Sequence, residues 1–158
     1  MPKITTLSEL AGVMPYYYNV AVPVGAGGGA LYGDDVLMVQ WMLKEIFDKH
    51  PKYKCSKPQD EMKLDGICGR ITLDYIEWFQ AWSNLASPLN QRVSIDRRVD
   101  VAPEEKFTTA KGYVYTIILM NLANLEVNPG MYSHGKRPLM PSRLETIIRN
   151  LGGPWSLG

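Results

Sequence analysis

One stretch constrains this chain more than any other: Leu64 to Gln80, LDGICGRITLDYIEWFQ. It reads as a tight turn running straight into a helix. Asp65-Gly66 is turn chemistry, because an Asp carboxylate bonds its own backbone and Gly takes a positive φ without steric cost. Gly69 supplies a second flexible point, and it is expected to need a backbone conformation that other residues resist. From Thr72 the apolar or semi-apolar positions fall at Thr72, Tyr75, Ile76, Phe79 and Trp82, which lie on one face of a helix. Such a helix has to bury that face against a second element.

The partner is expected upstream, in DDVLMVQWMLKEIFDKH, Asp34 to His50. Asp34 or Asp35 can cap it, since an Asp oxygen accepts from the orphan amides of a first turn. Val36, Val39, Gln40, Leu43 and Phe47 share one face. The run Val36, Val39, Gln40, Leu43, followed by D-G-x-C-G-x-x-T at Asp65 to Thr72 and a helix reaching Phe79-Gln80, resembles the bacterial peptidoglycan-binding domain. The resemblance covers residues 34 to about 85 and implies a three-helix, peptidoglycan-binding-like bundle. In that reading Gln40, Asp65, Gly66, Gly69, Thr72 and Gln80 build the turn, with the glutamines bonding backbone. Cys68 departs from the bulky apolar residue usual in the family and Arg70 from a frequent proline. The link from Pro51 to Lys63 is long and charged for the family.

Ahead of this core, residues 1–33 read as an extended arm and a Gly-rich loop. Val13 to Val24 is rich in strand formers, but Pro15 and Pro23 cannot donate to a ladder, so it is expected at an edge or as a wrapping segment. Gly25, Gly27 and Ala30 imitate a nucleotide fingerprint. The glycines do not open the helix, and Asp34 and Asp35 would place negative charge where a phosphate must sit. Residues 86–158 read as a helical extension packed on the core, in one compact domain overall. After a break around Pro88, the alternation from Val93 to Val101 suggests a short sheet with residues 16–24. The fragment Asp96 to Pro103 resembles a degenerate second copy of the turn, with Arg97 in the glycine's place. A helix is expected over 108–125, with stripes at Val114, Ile117, Ile118, Leu122, Leu125 and at Tyr113, Met120, Asn124. Asn128-Pro129-Gly130 ends it. Ser142 and Glu145 form a capping box before a helix that buries Leu144, Ile147, Ile148 and Leu151, stopped at Gly152-Gly153. The fold class is therefore mainly α, with short extended elements.

Composition narrows the partners. A net charge of +1 without any basic run argues against nucleic acid. No apolar run approaches the ~18 residues that span a membrane. The N-terminus lacks a signal-peptide pattern, so synthesis in the cytoplasm is expected, with any outward delivery by a secretion system or phage-type route. Without a leader, Cys55 and Cys68 are expected as free thiols, Cys68 buried.

Catalytic candidates are thin. His50 and His134 lie in polar stretches and are expected to be solvated, Cys55–His134 lacks a third orienting group, and the two His and two Cys have no metal-ligand spacing. Asp60-Glu61 and Glu104-Glu105 read as solvated pairs. No enzyme activity, cofactor or metal is expected. Ligand-binding candidates are Arg70, Asp74 and Trp78, four apart on a line beside the buried stripe, where Arg70 can pair a carboxylate and Trp78 either stacks on a sugar or packs under the second lobe. Tyr16, Tyr17, Tyr18 and Trp41 are interface candidates, since strand side chains alternate and at least one of the tyrosines has to face outward or be covered by another part of the chain: the segment 13–24 either forms a contact surface or closes the C-terminal lobe. The expected function is a non-catalytic module that binds peptidoglycan, as the resemblance implies. The alternative is a structural or cargo-adaptor protein of a phage-like or secretion particle, meeting a protein partner or a second copy of the chain.

Overall fold

The computed structural model describes residues 1–6, 12–85, 87, 91–104, 108–109, 111–133 and 138–151. It is mainly α with short strands. The elements are β1 (Lys3–Thr5), β2 (Tyr17–Asn19), β3 (Val24–Gly25), α1 (Asp34–Lys49), α2 (Arg70–Leu85), β4 (Arg98–Val99), α3 (Thr116–Val127) and α4 (Ser142–Asn150). β1 pairs antiparallel with β2, and β3 antiparallel with β4. The second pairing joins the two segments expected to form a sheet. The first was unforeseen, because residues 1–12 read only as an arm.

α1 is the centre. Its buried residues run from Asp35 to Phe47 around almost the whole circumference, because it touches α2, α3 and α4 together. Trp41 is therefore inside, with its indole N–H donating to the Leu139 carbonyl at 3.2 Å, and it is not an interface residue. Neither Asp34 nor Asp35 caps the helix. Gly33 does so by backbone alone, at φ 109°. Asp35 turns back instead, accepting from the Ala21 amide at 3.0 Å and from the N-terminal ammonium at 3.3 Å.

The turn before α2 is held by one side chain of α1. The Gln40 amide nitrogen donates to Asp65 Oδ1, the Ile67 carbonyl and Thr72 Oγ1, while its oxygen accepts from the Gly66 amide at 2.8 Å. The same cage recurs one helix later. The Gln80 nitrogen donates to Asp96 Oδ1, the Arg98 carbonyl and Thr116 Oγ1, and its oxygen accepts from the Asp96 and Arg97 amides. Gly66 has φ 72°, and Arg97 takes its place at φ 61°. Arg97 is the one non-glycine with positive φ among the described residues. The degenerate second turn is thus a structural repeat: a helix glutamine clamps a turn that precedes the next helix and reaches a threonine in that helix's first turn. Gly69 is corrected. Its φ is not positive and open space surrounds its missing Cβ, so Gly66, not Gly69, carries the conformational demand.

Amide side chains do similar work elsewhere. Asn19 grips Ala102 through both its N–H and C=O, Asn84 grips Val93, and Asn121 grips Tyr18. Each replaces a strand partner for backbone that would otherwise be buried and unpaired. This is how a chain with so little sheet keeps its connecting segments inside.

Three further expectations are corrected. The third helix begins at Thr116, not 108, because Thr108 and Thr109 pair antiparallel with Val114 and Tyr113: the Thr109 amide bonds the Tyr113 carbonyl and Gly112 turns at φ 84°. Ser142 is not a cap but the first helical residue of α4, and the Glu145 amide is satisfied by the Pro141 carbonyl at 2.9 Å. Tyr17 and Tyr18 are fully buried and Tyr16 half-buried, because β2 is covered on both faces. Tyr16 and Tyr18 both donate to the Met131 carbonyl and pack on Tyr132. The tyrosine run closes the lobe formed by α3 and the segment after it; it does not offer a contact surface. The stop at Gly152-Gly153 lies outside the described residues.

Candidate functional site

Arg70, Asp74 and Trp78 lie on the exposed side of α2, four residues apart, as the helical spacing predicts. Opposite them runs the link after the short 3-10 turn Lys54–Ser56. Between the two lies a cleft of about 390 Å³ lined by Pro58, Gln59, Asp60, Ile71, Asp74, Glu77 and Trp78. That volume suits a small ligand. The long charged link is therefore what builds the cleft's second wall. It is pinned there by the Tyr75 hydroxyl donating to the Asp60 carbonyl at 3.0 Å.

Trp78 is 43% exposed, yet its ring is fixed. Its indole N–H donates to the Ser56 carbonyl. The exposed part of this residue belongs to the cleft wall, and the bond limits its rotamer freedom. Beside it runs a chain of ion pairs: Asp60 with Arg70 at 3.2 Å, Arg70 with Asp74 at 3.1 Å, Asp74 with Arg97 at 3.2 Å and Arg97 with Glu77 at 3.1 Å. Arg97 comes from the second caged turn, so the repeat itself supplies a side chain to this row. Carboxylates outnumber guanidiniums in the row, three to two, and all are partly exposed, which leaves acceptor capacity for hydroxyl or amino donors. Each pair is partly solvated, so together they add little to stability, and their value is as pre-placed hydrogen-bonding groups.

The turn residues fill the structural role read for them. Asp65 Oδ1 accepts from the Ile67 amide at 2.9 Å, and that bond, with the Gln40 amide, holds its carboxyl below the usual range despite some desolvation. Cys68 is buried and Cys55 exposed, both free, and burial pushes the Cys68 thiol up to about 11. At that value the thiol is not a nucleophile near neutrality. His134 and Glu105 lie outside the described residues.

His50 was expected in solvent, and it is buried. Its Nδ1 accepts from the Lys52 amide at 3.1 Å and its Nε2 pairs with Glu126. With Nδ1 used as an acceptor, the proton sits on Nε2 and the ring closes α1 onto α3. Sequence patterning could not find this, because Glu126 lies 76 residues away. Among the described residues no cluster of His, Cys, Asp and Glu has the makings of a metal site, and no helix is long and apolar enough to cross a membrane. Comparisons with protein-family models, with curated proteins and with solved structures find no significant match.

Proposed function

We propose that this chain is a non-catalytic binding module and that its Trp78 cleft holds a saccharide or peptide unit of the bacterial cell wall. One observation carries the reading: a half-exposed indole with its N–H already engaged, next to a row of paired Asp, Glu and Arg groups. A flat aromatic face receives the C–H face of a sugar, and the neighbouring carboxylates and guanidiniums take up hydroxyl and carboxylate groups. The resemblance of residues 34–85 to the peptidoglycan-binding domain supports the wall as the source. On this reading the module reaches the wall through a secretion or phage-type route.

The test is co-sedimentation with insoluble peptidoglycan, using chitin as the control polymer. The chain is expected to sediment with peptidoglycan, and Trp78→Ala to lose at least about tenfold in affinity, equivalent to ~1.4 kcal/mol, with its melting temperature nearly unchanged. Equal retention by both polymers, or undiminished binding by the variant, would sink the proposal.

A second reading has its own observation. Leu31, Tyr32 and Ile67 are exposed together where the Tyr32–Ile67 bridge crosses the first turn, with Tyr32 72% exposed. Such a patch suits protein contacts in a secretion or phage-like particle. Tyr32→Ser would weaken capture of a particle component and leave wall binding intact.

A further inference from the structure

The two caged turns repeat, so the surfaces beside them can be compared position by position. Asp65 corresponds to Asp96, and Thr72 to Thr116. The groove at the first turn is lined by residues on both sides of it, including Glu61, Lys63, Asp65 and Arg70. Its charges are mixed and largely mutually engaged: Glu61 pairs with Lys44, and Arg70 with Asp60 and Asp74. The corresponding place at the second turn is a cavity of about 600 Å³ lined by Asn84, Arg92, Ser94, Ile95, Lys111 and Tyr113, among others. Residues 92–94 stand where 61–63 stand at the first turn, and Tyr113 stands where Gly69 does. Residues 111–113 form the second wall, tied to the first by the following Val114 amide, which bonds the Arg92 carbonyl at 2.9 Å.

The content of this second cavity differs in kind. No acidic side chain lines it among the described residues. Neither Arg92 nor Lys111 has an ion-pair partner among them, and the hydrogen bond from Arg92 Nε to the Ser87 carbonyl is long, 3.5 Å. Asn84 is spent on the Val93 backbone and keeps that wall in place. Ile95 and Tyr113, 52% and 41% exposed, add apolar surface beside the cations. Two cations, a hydroxyl, two apolar side chains and room for a few residues form a receptor for an anion with an organic body. Arg offers a planar fork that matches a carboxylate, and Lys a point charge beside it.

We infer that the cavity between residues 92–95 and residues 111–113 binds the free terminal carboxylate of a short peptide, at a site separate from the Trp78 cleft. Arg92 and Lys111 hold the carboxylate, and the last side chain of the peptide rests against Ile95 and Tyr113. Two sources offer this chemistry: a wall peptide ending in D-alanine and the C-terminus of a protein ending in an L-residue.

The experiment uses the full chain, with amide chemical-shift titrations against acetylated Ala-Ala-Ala in its L form, the same peptide ending in D-Ala-D-Ala, and the C-terminal amide of each. The acid peptides are expected to shift residues 92–95 and 111–113, to lose at least about tenfold in affinity as amides, and to weaken as salt rises through 0.1 M. Arg92→Gln and Lys111→Gln are expected to weaken binding at least fivefold each, Arg92→Lys less, and Trp78→Ala not at all. Preference for the D or the L form assigns the source, and both support the site. Equal binding of acid and amide forms, shifts confined to other residues, or no shift at millimolar peptide would overturn it. So would a Trp78→Ala effect as large as that of Arg92→Gln.

Discussion

Gln40 and Gln80 are the residues on which the local geometry turns. Each is almost fully buried and engages several partners in the turn it clamps. Gln40→Leu keeps the size but strands the Gly66 amide, and Gln80→Leu strands those of Asp96 and Arg97. Each buried group left unpaired costs about 1–3 kcal/mol, so either variant is expected to lose on the order of 3 kcal/mol in urea unfolding. Backbone demands separate the turn positions further. A Cβ on Gly25 would lie 2.4 Å from the Arg97 carbonyl oxygen, and one on Gly66 3.3 Å from that of Gly33, both at positive φ. Gly25→Ala is therefore expected to cost on the order of 3 kcal/mol, Gly66→Ala about 1–2, and Gly69→Ala only a few tenths. Arg97→Gly relieves left-handed strain of ~1 kcal/mol but forfeits half-exposed ion pairs of similar worth. Its unfolding midpoint should hardly move, whereas Arg97→Val should lower it.

At the scale of elements, β2 and α3 form one unit. Asn121 serves as the missing strand partner of Tyr18, and the Tyr132 hydroxyl donates back to Asn121 Oδ1 at 2.8 Å. Rings of Tyr16, Tyr18 and Tyr132 meet with centroids 5.6–6.2 Å apart. Burial raises the phenol pKa of Tyr16 and Tyr17 to about 12, and pushes those of Tyr18 and Tyr132 well above the ordinary range. A phenol that holds its proton more tightly when folded makes the folded state lose ground once the unfolded chain ionises. The stability these groups contribute is fully present below the unfolded value of about 10 and is lost as pH rises through 12. The denaturant midpoint should decline gently from pH 8 to 9.5, where the Cys68 share of the same sign is already being lost, and then fall steeply as the phenols add to it. Tyr132→Phe is expected to be less stable by ~1 kcal/mol at pH 8 and to show a shallower alkaline fall. A midpoint indifferent to pH up to 12 would contradict this account of the cluster.

For the whole molecule, one apolar core runs from Met14 through α1, α2 and α3 to α4. The N-terminal segment belongs to it: Met14, Tyr17, Tyr18, Val20 and Val24 are fully buried. Burying one such side chain contributes roughly 1.5–3 kcal/mol, against a net stability for a domain of about 5–15 kcal/mol. A chain lacking residues 1–24 is therefore expected to be unfolded by circular dichroism and near-ultraviolet signal. A folded truncated chain would mean that the helices hold without the tyrosine strand. The Trp78 cleft depends on this integrity at second hand. Its row of ion pairs draws Arg97 from the second turn, which Gln80 holds and β3 pairs with at Arg98.

The local signals were those carried by backbone chemistry and period. Asp65-Gly66 had to turn, the apolar spacing of residues 34–49 and 72–82 had to give amphipathic helices, and Asp96-Arg97 could be recognised as a worn copy of the first turn. The line of Arg70, Asp74 and Trp78 followed from helical pitch alone. Alternation showed that Tyr16 to Tyr18 cannot share one face, but not whether the second face meets solvent or another part of the chain. Trp41 and His50 were misplaced since their burial depends on Leu139 and Glu126, far along the chain. The later start of α3 was hidden because Thr108 to Tyr113 carries no helix-breaking proline, and only the Thr109–Tyr113 pairing shows it. Short-range sterics and hydrogen bonding act within a few residues and can be read in order along the chain. Which face is covered, by what, and which charges meet across a cleft depend on segments brought together from tens of residues apart, and the tertiary structure alone decided them.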